Sequence, residues 1–366
     1  MITNHEEIKK EVQEHYKNWT RERIFDNEEY MENWKQYYDK IDEIDEHIYD
    51  HLCEEVTMQE LDTIIKSVKY DKAAGTSGIP YDFWKKSGIN TRTTLIDIIN
   101  KAIKEGIWPK EWKEGIIYPI KKTIEWNRDL NLTRPITLIE TARKIAIKIL
   151  TNRLSDIITK NSVLRGKNYA ALKYESTFEP IKILQTIIED ANINKKEAWI
   201  ILMDISKAYD SVSSISLKKA MERIKLPEQW INLVLDISHN RFNKVIVNND
   251  LTEEYKVEDG IDQGEVWSPL LWRIFYDPLL CKLDDKRDDY GYNIGVEFKE
   301  NITDDKMTKH NLKINTIAFM DDTTLISKSY DQVSEMLKIC HSFYKLNDIK
   351  ANPNKYEIIR INDKLK

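Results

Sequence analysis

The run Trp199-Ile-Ile-Leu-Met203 constrains this chain more than any other stretch. A continuous apolar segment of this length reads as a β-strand buried on both faces, because a half-buried strand would alternate. It ends in Asp204. A carboxylate at the end of a core strand is costly to desolvate unless it is paired or holds a cation. The plainer reading is that Asp204 caps the helix that follows, expected over residues 211–221. Downstream, in Asn315-Thr-Ile-Ala-Phe-Met-Asp-Asp-Thr-Thr-Leu-Ile-Ser327, Asp321 and Asp322 separate two β-branched, apolar runs. That pattern predicts a β-hairpin with the acids at its tip. Asp favours turns on its own account, so the pair alone says little. With Asp204 it becomes a set of oxygen ligands suited to hard cations such as Mg²⁺. Two-metal centres hold cations about 3.5–4 Å apart and clamp the attacking and leaving oxygens of a phosphoryl displacement.

The rest of the composition excludes several classes. The 366 residues are 41% hydrophobic and 32% charged with few Gly and Pro, which is a globular composition. Cys53, Cys281 and Cys340 lie far apart and form no CxxC pattern, which argues against a disulfide framework or a zinc site. The start has no basic-then-apolar leader and no apolar run is long enough to span a bilayer. The expected location is intracellular, nuclear or cytoplasmic, and not secreted. The net charge of −6 is mildly against a nucleic-acid binder, yet residues 110–173 hold 14 Lys and Arg against 6 Asp and Glu. Such a segment fits either a nucleic-acid groove or a solvated basic face. Arg143, Lys144, Lys148 and Arg153 read as the basic face of a helix over 141–158.

Residues 4–52 read as two amphipathic helices carrying no visible chemistry, and Thr57-Met-Gln-Glu60 is a capping box opening a third. Gly75 and Gly78 mark a loop with exposed amides that resembles no Walker motif; a plain connection between helices is the simpler reading. Strands are expected at 115–122, 133–138, 244–248 and 254–257. In Gly260-Ile-Asp-Gln-Gly264 the second glycine allows another backbone, or a base, to come close. Residues 284–311 read as an irregular, charged surface insertion, followed after the hairpin by a helix over 331–346 and a short final strand.

Read in order, several motifs match one family. Strand-Asp204-Ile-Ser-Lys-Ala-Tyr209-Asp, then Gly260-Ile-Asp-Gln-Gly264 with Ser268-Pro-Leu, then Phe319-Met-Asp-Asp322 resemble the motifs of reverse transcriptases, especially those of non-LTR, LINE-like retrotransposons. Lys72-Ala-Ala-Gly-Thr-Ser-Gly-Ile-Pro80, Arg134-Pro-Ile-Thr-Leu138 and Asn352-Pro-Asn-Lys-Tyr-Glu357 resemble that family's outlying motifs. The resemblance runs from about residue 55 to the end. It implies an α+β right-hand polymerase fold: a helical extension over 1–54, helical fingers over 55–195, and an antiparallel-sheet palm over 196–366. The chain ends soon after Lys355, where the family's thumb would begin, so the expectation is a palm truncated before the thumb.

The resemblance also implies roles. Asp204, Asp321 and Asp322, with the carbonyl of Ile205, would bind two Mg²⁺ ions, Mn²⁺ being an alternative. Lys355 would act as general acid near the pyrophosphate, and Tyr209 would exclude a ribose 2′-OH. Gln263 and Gly264 would lie near the nascent base pair, and Lys121 and Arg134 would contact phosphates. The partners would be an RNA template, a DNA primer and dNTPs, with no membrane. The implied activity is RNA-templated DNA synthesis; the alternatives are a truncated retroelement remnant that folds and binds RNA without polymerising, and an RNA-templated RNA polymerase, which Tyr209 disfavours. This sequence departs from the family at Ala74, Thr76 and Ser77 (for Pro, Pro and Asp), at Asn168-Tyr-Ala-Ala171 (for Gln-x-Gly-Phe) and at Met320 (for Ala). Glu265-Val-Trp267 stands for Cys-Pro-Leu, and is expected to add a negative charge on the template side.

Overall fold

A computed structural model describes residues 3–298 and 308–363. Among them the strands are β1 (Glu114–Lys121), β2 (Thr133–Ile139), β3 (Ala198–Met203), β4 (Phe242–Val247), β5 (Asp250–Leu251), β6 (Tyr255–Lys256), β7 (Tyr292–Phe298), β8 (Thr308–Ile314), β9 (Thr316–Phe319), β10 (Asp322–Ser327) and β11 (Glu357–Ile361). The chain forms two compact units that interleave along the sequence. One comprises Met1–Phe25, Asp39–Val163 and Tyr209–Phe275; the other comprises Asp26–Tyr38, Leu164–Ala208 and Tyr276–Lys366. The division read from the sequence, at residues 54 and 195, follows linear order instead.

In the first unit the sheet runs β2-β1-β4-β5, with β6 also on β4. It is mixed: β1 pairs antiparallel with β2 but parallel with β4. The helix His5–Trp19 lays Val12, Tyr16 and Trp19 on Ile117, Val245, Val247, Tyr255 and Val257, and the Tyr16 hydroxyl lies 2.6 Å from Thr133 Oγ1. The N-terminal helix therefore belongs to this unit's core. The capping box is present in full, Thr57 and Glu60 satisfying each other's backbone amides at the start of the helix Met58–Ser67.

The second unit is built on an antiparallel sheet of order β11-β3-β10-β9. β3 is buried along nearly its whole length, as its unbroken apolar run requires. Ile187 and Ala191 of the helix Phe178–Ile193 pack against Ala198, Ile200, Ile317, Ile326 and Ile361. The helix Tyr330–Leu346 also packs on this sheet through β10 and β3, with Val333, Met336 and Cys340 fully buried.

Three expectations change. Residues 284–311 are not irregular where described: after a short helix (Arg287–Tyr290), β7 and β8 form an antiparallel hairpin. The charged residues and glycines around Tyr292-Asn-Ile-Gly-Val-Glu-Phe298 hid an alternation that marks a strand; residues 299–307 lie outside the described residues. The second N-terminal helix is shorter and mixed, running Asn27–Glu29, then a π-helical stretch Tyr30–Trp34, then Lys35–Tyr38. The basic face of the helix Thr141–Asn161 is not a face. Arg143 is 1% exposed, and Arg153 pairs with Glu60 at 2.7 Å. Much of this positive charge is spent within the fold.

Candidate active site

In the second unit, β3 delivers Asp204 to the end of the sheet. The antiparallel register pairs Met203 with Thr323 and Leu202 with Thr324. Asp204 and Asp322 are the next residues along those two strands, so neighbouring strand ends bring them together. Asp322 pairs with Phe319, which leaves Met320 and Asp321 as a two-residue hairpin loop. The acids thus sit at the tip as the alternation predicts, Asp321 in the loop and Asp322 on the first strand position. Met320 has φ +56°, in the left-handed region that side chains other than glycine adopt only at some strain.

Asn168 holds that strained residue. Its side-chain amide nitrogen donates to the Met320 carbonyl at 3.0 Å and its amide oxygen accepts from the Met320 N–H at 3.2 Å. Asn168 is itself buried and bridges to Ala318 of β9. Sequence reading met Asn168 only as a departure from a family motif and missed this role. The available signal was a buried-type segment carrying one amide side chain that can both donate and accept.

The electrostatics follow from the clustering. Burial, with the charges of Asp322 and Asp204, pushes the Asp321 carboxyl up from 3.8 to about 6 against the pull of Lys355. Asp322 is raised in the same way, by burial and then by Asp204. On the other side Lys355 Nζ lies 3.1 Å from Asp204 Oδ2 and Asn352 Nδ2 lies 3.3 Å from the same oxygen. Ile205 bridges to Ala351, which sets the segment carrying Asn352 and Lys355 beside the end of β3. Asp204 is therefore no helix cap. Its carboxylate faces the Asn352–Lys355 turn, and Ser213 caps the helix Ser214–Arg223.

The three carboxylates do not close into a set with every ligand oxygen within 4.8 Å of the others. Among the described residues the set that does is His5, Glu6 and Asp250, all exposed, where Lys9 already holds Asp250 at 2.9 Å. The donor chemistry at Asp204, Asp321, Asp322 and the Ile205 carbonyl nonetheless fits hard divalent cations. It is all oxygen and rich in anionic charge.

The remaining predicted residues lie in the first unit. Tyr209 is half-buried, its ring 6.1 Å from that of Trp272, and its carbonyl accepts from Ile261 N–H at 2.9 Å. Gln263 donates to Asp210 Oδ2 at 2.9 Å, and its carbonyl accepts from Thr137 N–H at 2.9 Å. Gly264 is exposed with φ +126°, and a Cβ there would stand 2.9 Å from the Thr137 carbonyl oxygen. The backbone for which this glycine makes room is thus the protein's own. Lys121 and Arg134 sit exposed where β1 and β2 approach their connection, Lys121 with its ammonium 5.2 Å from the Trp126 ring centre.

Two departures have structural explanations. Glu265 does not present charge to solvent: it is 4% exposed and ion-paired with Arg143 at 2.7 Å, so the expected negative charge on the template side is withdrawn. Thr76 and Ser77 donate to the buried Glu140 carboxylate, Ser77 through its N–H at 2.6 Å. That loop's amide binds an anion, but one the chain supplies. A Cβ at Gly75 would stand 2.4 Å from Glu140 N, so the loop is packed down.

The family profile described as "Reverse transcriptase (RNA-dependent DNA polymerase)" matches residues 120–366. The probable RNA-directed DNA polymerase from transposon BS of Drosophila melanogaster is 24% identical over 248 residues, 68% of this chain and 27% of that protein. The retrovirus-related Pol polyprotein from type-1 retrotransposable element R2 of Nasonia vitripennis is 23% identical over 293 residues, 80% of this chain and 26% of that one. The chain thus spans about a quarter of the length of these relatives. Among solved structures, an apo telomerase from Candida tropicalis truncated from its C-terminal domain aligns over 83% of this chain and 61% of that chain, at 13% identity and TM-score 0.48. With the family profile covering two thirds of its length, this chain belongs to the reverse transcriptase (RNA-dependent DNA polymerase) family, and its relatives are polymerases of non-LTR retrotransposons.

Proposed function

We propose that this chain is the polymerase part of a non-LTR retrotransposon protein and extends a primer 3′-OH with dNTPs on an RNA template. The observation that carries the reading is the strand register placing Asp204 beside Asp322 at one end of the β3–β10 pair, with Asp321 next to it. Three carboxylates collected there, one with its pKa pushed to about 6, have little purpose without a cation. In this reading the second unit's sheet is the palm, and the first unit supplies the fingers.

Asp204, Asp321, Asp322 and the Ile205 carbonyl would hold two divalent ions, Mg²⁺ or Mn²⁺. When bound, these supply a lowered pKa for the primer hydroxyl and neutralise the triphosphate. The chain's own residues do the rest. Asn168 fixes the turn that presents Asp321. Lys355, already directed at Asp204, offers an ammonium from which a proton can pass to the leaving pyrophosphate. Tyr209 bars a 2′-OH, and the backbone-anchored Gln263–Gly264 tip lies along the nascent pair. Arg134 and Lys121 reach phosphate oxygens; Arg is suited to this by its bidentate donors.

The test is primer extension on an RNA template with dNTPs and Mg²⁺, comparing the chain with Asp321→Asn. The variant should lose roughly 10²–10⁴-fold in rate, several kcal/mol of charge stabilisation in the transition state. Equal extension by both proteins would overturn the assignment of the site. A preference for NTPs over dNTPs would instead indicate RNA synthesis.

A further inference from the structure

The loop that carries Gln263 and Gly264 is anchored on a buried, charge-balanced network. Its flanking residues, Asp262 and Glu265, are both carboxylates and both buried, at 6% and 4% exposure, while Gly264 between them is exposed. Arg143 of the helix Thr141–Asn161 meets both: Nη2 lies 3.2 Å from Asp262 Oδ2 and Nε 2.7 Å from Glu265 Oε2. Arg241, just before β4, places Nη1 2.9 Å from the second Asp262 oxygen. Two carboxylates face two guanidiniums, and each guanidinium is also fixed to backbone. Arg143 donates to the Trp112 carbonyl at 2.8 Å and Arg241 to the Gly260 carbonyl at 3.1 Å. Thr137 touches the loop twice, through its N–H to the Gln263 carbonyl and its hydroxyl to Asp262 Oδ1 at 3.2 Å. Ser268 Oγ closes the loop onto the Asp262 carbonyl at 2.8 Å.

A surface loop needs no such foundation merely to connect two elements. Buried ion pairs are weak sources of net stability, because desolvation offsets most of their attraction. Their geometric demands are nonetheless strict, since a guanidinium is a planar fork of fixed donors. The tip residues themselves are held by Asp210 and by the Thr137 amide, and the Asp210 carbonyl in turn accepts from Arg23 Nη2 at 2.9 Å.

We propose that Glu265, Arg143, Asp262 and Arg241 are positioning residues, a cradle that fixes Gln263 and Gly264 where the incoming nucleotide pairs with the template. The proposal rests on the polymerase reading of those two residues. Arg143 is the keystone because it forms ion pairs with both flanking carboxylates. Glu265, where the family has Cys, is the partner this chain adds.

The experiment uses the full chain and compares Glu265→Gln and Arg143→Lys with the parent in steady-state primer extension on an RNA template with Mg²⁺. Both variants should raise KM for the dNTP about tenfold while kcat falls less than about threefold, the split expected when binding alignment is loosened and the metal site is intact. Hydrogen–deuterium exchange should quicken in the amides of residues 260–266. Unchanged KM beside quickened exchange would reduce the network to a structural support, and unchanged exchange would overturn the cradle outright. Should Arg143→Lys fail to fold, Glu265→Gln decides alone. Should the parent extend no primer, the polymerase reading falls by itself, and the exchange comparison still decides whether these pairs set the loop.

Discussion

The chain gathers carboxylates in two places and treats them in opposite ways. In the second unit Asp204, Asp321 and Asp322 meet at a sheet end with Lys355 as the cation directed at them, and Asp321 rises to about 6. In the first unit Asp262 and Glu265 meet Arg143 and Arg241. There burial alone would raise Asp262, but the two guanidiniums outweigh it and hold its carboxyl below the usual value. One cluster is paired with guanidiniums of the chain itself, and the other is met by the exposed Lys355 ammonium. Carboxylates brought together are thus no sign of a cation site where guanidiniums of the chain already pair with them.

The contrast can be broken most forcefully at Arg143. Arg143→Met strands the buried Glu265, leaves Asp262 to Arg241 alone, and should cost about 3–5 kcal/mol in denaturant unfolding. Adding Glu265→Met should recover a large part of this, because an apolar pair of similar volume suits a buried site and Arg241 still holds Asp262. A single-variant loss under about 1 kcal/mol would mean that this network is no more finished than the acidic centre.

The pH dependence sharpens the contrast next. A carboxyl with a folded value of about 6 against an ordinary 3.8 binds its proton more tightly in the native state. Its contribution is fully present below about 3.8 and is lost as pH rises through about 6. Without divalent ions, Asp321→Asn should therefore stabilise the protein above pH 6 by about 1–2 kcal/mol, after allowance for partial exposure, and bring no gain near pH 4. Mg²⁺ should stabilise the parent increasingly as pH rises through the same window, because the cation binds the deprotonated form. Thermal melts across pH, with and without Mg²⁺, check both; a gain from Asp321→Asn that is the same at every pH would remove Asp321 as its source. Asp262 acts with the opposite sign, its stabilisation being lost as pH falls.

The smallest expected effect is at Lys355. Its pair with Asp204 is largely exposed, the lysine side chain at 63%, and such pairs contribute about 0–1 kcal/mol. Lys355→Met should tighten Mn²⁺ binding by a few-fold at most, since the ammonium and a cation compete for the same oxygen. Titration followed by the spectrum of free Mn²⁺ measures this, and weaker binding in the variant would show that Lys355 supports the metal site instead.

Much of the architecture was readable before any coordinates because it depends on local rules. The apolar run before Asp204 made a doubly buried strand, the alternation around Asp321-Asp322 made a hairpin, and Thr57–Glu60 made a full capping box. The misreadings occurred where local pattern and tertiary use diverge. β7 alternates apolar and polar residues and buries Tyr292 and Ile294 in the second unit's core, but the charged residues around it and Gly291 and Gly295 made the segment read as irregular. Arg143, Lys144, Lys148 and Arg153 fall at basic-face spacing, yet Arg143 is buried because its partners lie more than a hundred residues downstream. Asn168 looked like a lost motif residue and proves to hold the left-handed Met320.

The sequence by itself determined the acids, their order, and the strands and turns that carry them, because residue type and period act over a few neighbours. Tertiary structure decided which charges are neutralised. Pairing depends on which distant segments fold together, and no local pattern shows that Glu265 finds a guanidinium while Asp321 finds two more carboxylates.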